Sequence, residues 1–270
     1  MTAHPRGRTH RGEAARRAAS PVAPSEDAEI PPSPWQRLPE RHARRRGEPI
    51  SRAAIVTAAI RLLDAEGLEA LSMRRLAEQL GAGAASLYWH VGSKDGLLDL
   101  VFDELIGEAD VPDPDPAHWQ EQLKDVARAQ REGSLRHPYL VRISIGRTPL
   151  GPNALRYSER VLAILRAGGM PPSLAVQGYL LLIATVNGFT VDETGMDGAG
   201  TGPGPRPGDA ASRAAVAATT RDYIASLPTG AFPTLVGLAD EFALADPDER
   251  FEVLIDIFTD GLARRARNLR

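Results

Sequence analysis

The sequence predicts an all-α protein, with a head of short helices followed by a larger helical body. Three observations predict it. Apolar residues recur every three or four positions in one stretch after another, which is the spacing of a helix face. No stretch keeps the period-two alternation of a half-buried strand. Serines stand just before the first periodic runs (Ser51, Ser72, Ser93) and glycines just after them (Gly67, Gly81, Gly92), the residue types that start and stop helices.

The elements follow in order. Residues 1–47 hold ten arginines and, after Met1, only four large apolar residues, Val22, Ile30, Trp35 and Leu38. Such a stretch buries too little surface to offset its ordering entropy, so it reads as a disordered basic extension. It is either an arm that tracks phosphates or a dispensable addition. The head occupies 48–110. Its first helix starts after Ser51 and carries Ile55, Ala58, Ala59, Leu62 and Leu63 on one face, up to Gly67. The second runs from Ser72 to Gly81, with Met73, Leu76, Ala77 and Leu80 inward. A third, short helix covers Ala84–His90. The fourth begins at Ser93, carries Leu98, Val101, Phe102 and Leu105, and reaches about Asp110. Pro112, Pro114 and Pro116 then make a linker, because alternating prolines cannot continue a helix. The body, 117–270, reads as helices near 118–136, 139–145, 152–166, 172–193, 210–226 and 248–269. Gly and Pro make 195–209 a flexible loop.

Composition narrows the function. The chain has no cysteine, so disulfides and thiolate metal sites are excluded. That suits a reducing cytoplasm. The longest nearly unbroken apolar run, Tyr179–Val186, falls well short of the roughly 20 residues of a membrane span, and no apolar stretch follows the N-terminal arginines as in a secretory signal. Net charge is −3, but residues 1–47 set ten arginines against five acids, a balance of +5 that leaves −8 to the rest. A basic front on an acidic body is the charge footprint of a nucleic-acid-binding head. The six histidines at 4, 10, 42, 90, 118 and 137 form no i, i+4 pair. No Walker loop and no G-x-S-x-G elbow is present either, so nothing points to an enzyme or a cofactor.

The informative stretch is LSMRRLAEQLGAGAASLYWHVGSK, Leu71–Lys94. Two short helices around Gly81-Ala82-Gly83 form a helix-turn-helix, whose second helix fits a major groove. Leu87 and Val91 face the head's core. Ser86, Tyr88 and His90 then lie on other faces, where hydroxyl, phenol and imidazole reach phosphates or base edges. Trp89 can pack on a thymine methyl, and Ala84 and Ala85 are small groove-facing positions. Lys94 is placed for a phosphate, Arg74 can reach a phosphate or a guanine, and Ser72 offers a hydroxyl at a helix N-terminus. An aromatic triplet such as Tyr88-Trp89-His90 is, by itself, more often core; the order and spacing of the helices together favour an interface.

AAIRLLDAEGLEALSMRRLAEQLG and SLYWHVGSKDGLLDLV, within Ile55–Val101 and its flank, resemble the DNA-binding head of the tetracycline-repressor (TetR) family of bacterial transcription factors. The body resembles that family's tetracycline-repressor subgroup at Trp119-Gln120 and at Gly146-Arg147-Thr148-Pro149. The resemblance implies a cytoplasmic, nucleoid-associated homodimer, most simply a repressor, on a double-stranded palindromic operator. Helices near 172–193 and 248–269 would form a four-helix dimer interface, and a small-molecule effector would bind in the body. Arg147, Asn153, Tyr157, Arg160, Gln177 and Asn187 are the candidate effector contacts. Ser144 stands about where the tetracycline repressor has a metal-coordinating histidine, and Glu108-Ala109-Asp110 lacks the histidines found there, so neither tetracycline nor magnesium carries over. The alternatives are a helix-turn-helix protein that binds another protein without effector control, and, more remotely, an enzyme.

Overall fold

The computed structural model of the protein describes residues 50–194, 210–244 and 246–269. The extension over 1–47 and the loop over 195–209 lie outside the described residues.

Twelve α-helices occur among the described residues: α1 Arg52–Glu66, α2 Met73–Gln79, α3 Ala84–Val91, α4 Lys94–Ile106, α5 Trp119–Arg136, α6 Leu140–Ser144, α7 Pro152–Ala167, α8 Pro172–Thr194, α9 Ala210–Ala225, α10 Pro233–Gly237, α11 Ala239–Leu244 and α12 Pro247–Asn268. A single 3₁₀ turn spans Leu68–Ala70, and no strand occurs among the described residues.

The head's helices carry their own punctuation. Ser51, Ser72 and Ser93 accept hydrogen bonds from the amides of Ala54 (3.1 Å), Arg75 (3.2 Å) and Gly96 (2.9 Å). Each satisfies one of the orphan N–H groups at a helix start, a contribution of about 1 kcal/mol. The fully buried Ile55, Leu76, Leu87, Leu97 and Val101 knit α1–α4 into one core. That core also takes in Tyr139 and Ile143 from the α5–α6 segment, so the first part of the body packs directly on the head.

A second core joins α5, α7, α8 and α12 through Leu123, Ile164, Leu165, Leu182 and Phe251. Polar rungs set the register of α5 against α12: Gln120–Asp260 at 3.2 Å, Lys124–Asp256 at 2.7 Å, Arg128–Glu252 at 2.7 Å and Arg131–Asp248 at 2.6 Å. The first partner climbs as the second descends, so the two helices run antiparallel. Arg131 also pairs with Glu193 of α8 at 2.7 Å and lies 4.8 Å from the centre of the Phe251 ring, which ties three helices at one point.

Three features differ from the sequence reading. Helix α4 stops at Ile106 rather than near Asp110. There the Asp103 carbonyl is shared between the Gly107 amide and the Asn153 side chain, and the next amides bond three residues back (Glu108 to Leu105, Ala109 to Ile106), tightening the chain out of the α-helix. Helices α10 and α11 are unforeseen, because five and six residues are too few to show a period. Helix α8 is long and apolar enough over Pro172–Glu193 to cross a membrane, with mean hydropathy 1.6. Counting only its unbroken apolar run understates it. Leu174, Ala175, Leu182 and Val186 are core positions, while Val176, Leu180 and Leu181 are exposed.

Candidate nucleic-acid interface and effector cavity

Helices α2 and α3 meet across Leu80–Gly83. Gly81 adopts φ +62°, a left-handed conformation that costs a glycine little and other residues more. Across the turn the Ala82 amide bonds to the Ala77 carbonyl at 2.9 Å, and the Ser86 amide to the Gly83 carbonyl at 2.9 Å. Helix α3 is anchored by Leu87, which is fully buried, and by Val91, with half-buried Ala84 against the same core. Its far end is held as well, because Arg52 Nε of α1 donates to the His90 carbonyl at 3.2 Å.

What remains of α3 faces outward. Tyr88 is 46 % exposed and Trp89 48 %, so the aromatic pair is not core. Ala85 and Ser86 are also exposed, and His90 is half-buried. The His90 ring meets Trp89 edge-on at 4.7 Å. Burial, and then the Arg52 charge, push the His90 imidazole below its ordinary value, so it is neutral at pH 7 and offers one donor and one acceptor. Arg74 and Lys94 are exposed on the flanks. Ser72 is exposed but already engaged, its Oγ being the N-cap of α2.

A cavity of about 680 Å³ opens in the body, walled by α4, α5, α7, α8 and the segment that follows α6. Arg147, Tyr157 and Asn187 line it; Asn153, Arg160 and Gln177 are outside its lining. Asn153 instead sits at the start of α7, its Nδ2 donating to the Asp103 carbonyl at 3.2 Å. Arg160 Nη1 donates to the Val111 carbonyl at 2.7 Å, fastening the linker to α7. Gln177 is exposed on α8.

Sequence reasoning missed Gln130, Ser158 and Tyr179, all of which line the cavity. Gln130 Nε2 donates to Asn187 Oδ1 at 3.0 Å, and the Tyr157 hydroxyl donates to Gln130 Oε1 at 3.5 Å. Ser158 Oγ and the Tyr179 hydroxyl lie 2.6 Å apart. A signal for Gln130 was available: it continues the inward face Leu123, Val126, Ala127 at helical spacing. Burial pushes both phenols upward, so they remain protonated and able to donate. This part of the wall is therefore polar but uncharged.

The cations on the wall are neutralised within the protein. Arg136 pairs with Glu132 at 2.7 Å and Glu108 at 3.3 Å. Arg147 pairs with Asp99 and, at 3.2 Å, with Asp95, both in the first turns of α4. It thus joins the cavity wall to the helix that completes the head. Ser144 also lines the cavity, its hydroxyl spent on the Val141 carbonyl at 2.7 Å. No group of three or more His, Asp or Glu gathers as a metal set among the described residues.

This arrangement has known counterparts. Residues 55–101 match the model of the bacterial regulatory proteins of the tetR family, and residues 111–266 match the tetracyclin repressor-like C-terminal domain. An HTH-type transcriptional regulator of Saccharopolyspora erythraea is 38 % identical over 170 residues, covering 61 % of this chain and 70 % of that protein. The class A tetracycline repressor of transposon 1721, from Escherichia coli, is 29 % identical over 214 residues, covering 78 % of this chain and 89 % of its own. Among solved structures, apo ActR from Streptomyces coelicolor superposes with a TM-score of 0.74 at 41 % identity, covering 83 % of this chain and all of that one. ActR in complex with actinorhodin superposes with a TM-score of 0.71 at 42 % identity, covering 81 % of this chain and 99 % of that one. Two family models that together span the head and the body, at matching positions in the fold, settle the relationship: the chain belongs to the tetracycline-repressor (TetR) family of bacterial regulators.

Proposed function

We propose that the protein is a ligand-responsive transcriptional repressor that binds a palindromic operator as a homodimer and is released by a small molecule held in the body. The observation that carries the reading is the outward Tyr88 and Trp89 on a helix pinned by Leu87 and Val91. Exposed aromatics on a rigidly seated helix lack a folding role, and they fit a groove. Residues 48–110 serve as the DNA-binding head and 117–270 as the effector-binding and dimerisation body. Ser86, Tyr88, Trp89 and His90 meet base edges, Ala84 and Ala85 allow close approach, and Ser72, Arg74 and Lys94 serve the phosphates.

Dimerisation is supported by apolar positions left open on two adjacent helices: Val176, Leu180 and Leu181 of α8, and Val253 and Ile257 of α12. A patch of that kind marks an association surface. Two copies joined there would carry two heads, which must match half-sites roughly 34–36 Å apart. Such a regulator works beside the nucleoid, in the cytoplasm.

The cavity suits a largely apolar molecule bearing hydrogen-bonding groups, met by Gln130, Tyr157, Ser158, Tyr179 and Asn187. Actinorhodin, held by the related ActR, is the first compound to try. In the test, a mobility shift is run on the DNA flanking the protein's own gene across a salt series, with and without actinorhodin. A steep fall of affinity with salt and release by the compound are expected. Absence of any shifted band at low salt would overturn the DNA-binding reading. Retention in the presence of bound compound would overturn the effector reading.

A further inference from the structure

We propose that Asp103 is the positioning residue that couples α7, a wall of the cavity, to α4, the helix shared with the DNA-binding head. This rests on the reading of head and cavity given above.

Helix α7 lacks a cap of its own. It opens on Gly151-Pro152, and no side chain of that turn bonds its amides, whereas α1, α2, α4 and α12 use their own Ser51, Ser72, Ser93 and Asp246. Proline removes one of the orphan N–H groups. Two of the others reach across 50 residues of chain: the Ala154 amide donates to Asp103 Oδ1 at 2.9 Å and the Asn153 amide to Oδ2 at 3.4 Å. Asn153 Nδ2 answers with a bond to the Asp103 carbonyl at 3.2 Å. The cap of a body helix is thus a side chain of α4.

The joint is close and specific. Asp103 is 9 % exposed, and no ion pair offsets its burial among the described contacts. The two amides at the positive end of α7 and the Arg156 charge favour the carboxylate in part, while burial still holds its carboxyl above the ordinary value. A Cβ on Gly151 would run into that carboxylate, so only glycine lets the helix close on it. A Cβ on Gly107 would stand 2.8 Å from Asn153 Nδ2. Asp103 itself is outside the cavity's lining, but α7 presents Ala154, Tyr157 and Ser158 to it and α4 presents Phe102, Leu105 and Ile106. Any movement of α7 that a ligand imposes is therefore handed to α4 through this cap. Asparagine would offer one acceptor oxygen and set its NH₂ against the second amide, so it should weaken the joint while nearly keeping the shape.

The chain has no cysteine, so a spin label can be placed at Glu78→Cys, exposed on α2, in the full-length dimer. The head-to-head distance distribution is then compared in the parent, Asp103→Asn and Gly151→Ala, the last keeping the carboxylate but crowding it. Both variants are expected to keep parental helicity and dimer mass while the distribution broadens. The release of DNA caused by actinorhodin is expected to shrink by about fivefold or more, the lower range of allosteric coupling. An unchanged distribution in both variants would overturn the proposal. So would a plain loss of helicity or melting temperature without selective broadening, which would make Asp103 a stability residue only. If actinorhodin fails to bind the parent, that assignment of the effector falls, while the distance distribution still decides the joint.

Discussion

The head and the body of this protein solve packing in opposite ways. The head is small and closed: Ile55, Leu76, Leu87, Leu97 and Val101 are fully buried, and α1, α2 and α4 are capped by their own serines. The body is longer-helixed and wraps a cavity of about 680 Å³. A filled core resists deformation because every displaced side chain loses contacts, whereas walls around a cavity can shift at less cost. On the proposed reading, packing makes the DNA-binding head the stiffer part and the effector-binding body the more compliant one, and α4 belongs to both.

That contrast can be broken by experiment, beginning with the largest effect. Leu87→Ala should cost the head about 2–5 kcal/mol, measured by denaturant unfolding, and should remove DNA binding by loosening α3. A loss near zero would mean that α3 is not seated as described. Tyr88→Ala should leave melting unchanged yet weaken operator binding by about 1–3 kcal/mol per head, read from titrations at fixed salt. Loss of helicity in that variant would return the ring to a packing role. In the body, Gln130→Leu should lower effector affinity by about 1 kcal/mol, the net worth of a hydrogen bond, with DNA affinity in the absence of effector unaltered. Ser72→Ala should destabilise the head by about 1 kcal/mol.

The smallest effect concerns pH. Burial and Arg52 hold the His90 imidazole below its ordinary value of 6.5, so the folded head binds fewer protons than the unfolded chain just below that pH. Stability from this group is therefore present above 6.5 and is lost as pH falls through the lowered folded value. Arg52→Gln should move the imidazole back toward 6.5 in an NMR titration. An unmoved titration would remove Arg52 as a cause.

Much of the head is legible in sequence because its signals are local. Ser51, Ser72 and Ser93 lie next to the helices they cap, and Gly67 and Gly92 next to the ends they turn. Exposure of Tyr88 and Trp89 is not legible from the triplet alone. It depends on which of its neighbours the other helices claim. The cavity is less readable still, because its polar wall pairs Gln130 with Asn187 and Ser158 with Tyr179 across different helices. Arg147 shows the difficulty from the other side. Its residue type and place suggest a ligand contact, yet its guanidinium is engaged by Asp95 and Asp99 of α4, about 50 residues earlier in the chain. Asp103 is the extreme case, a cap 50 residues away from the helix it serves.

Leu180 of α8 lines the cavity and is 58 % exposed in the single protomer. Where two copies pair through that helix, one side chain answers to both neighbours. By thermodynamic reciprocity, a molecule that prefers the paired arrangement is itself gripped more tightly once pairing has occurred, by the same factor. Copy number then becomes a second input: a cell holding few molecules of the protein and a cell holding many would respond to one dose at different thresholds.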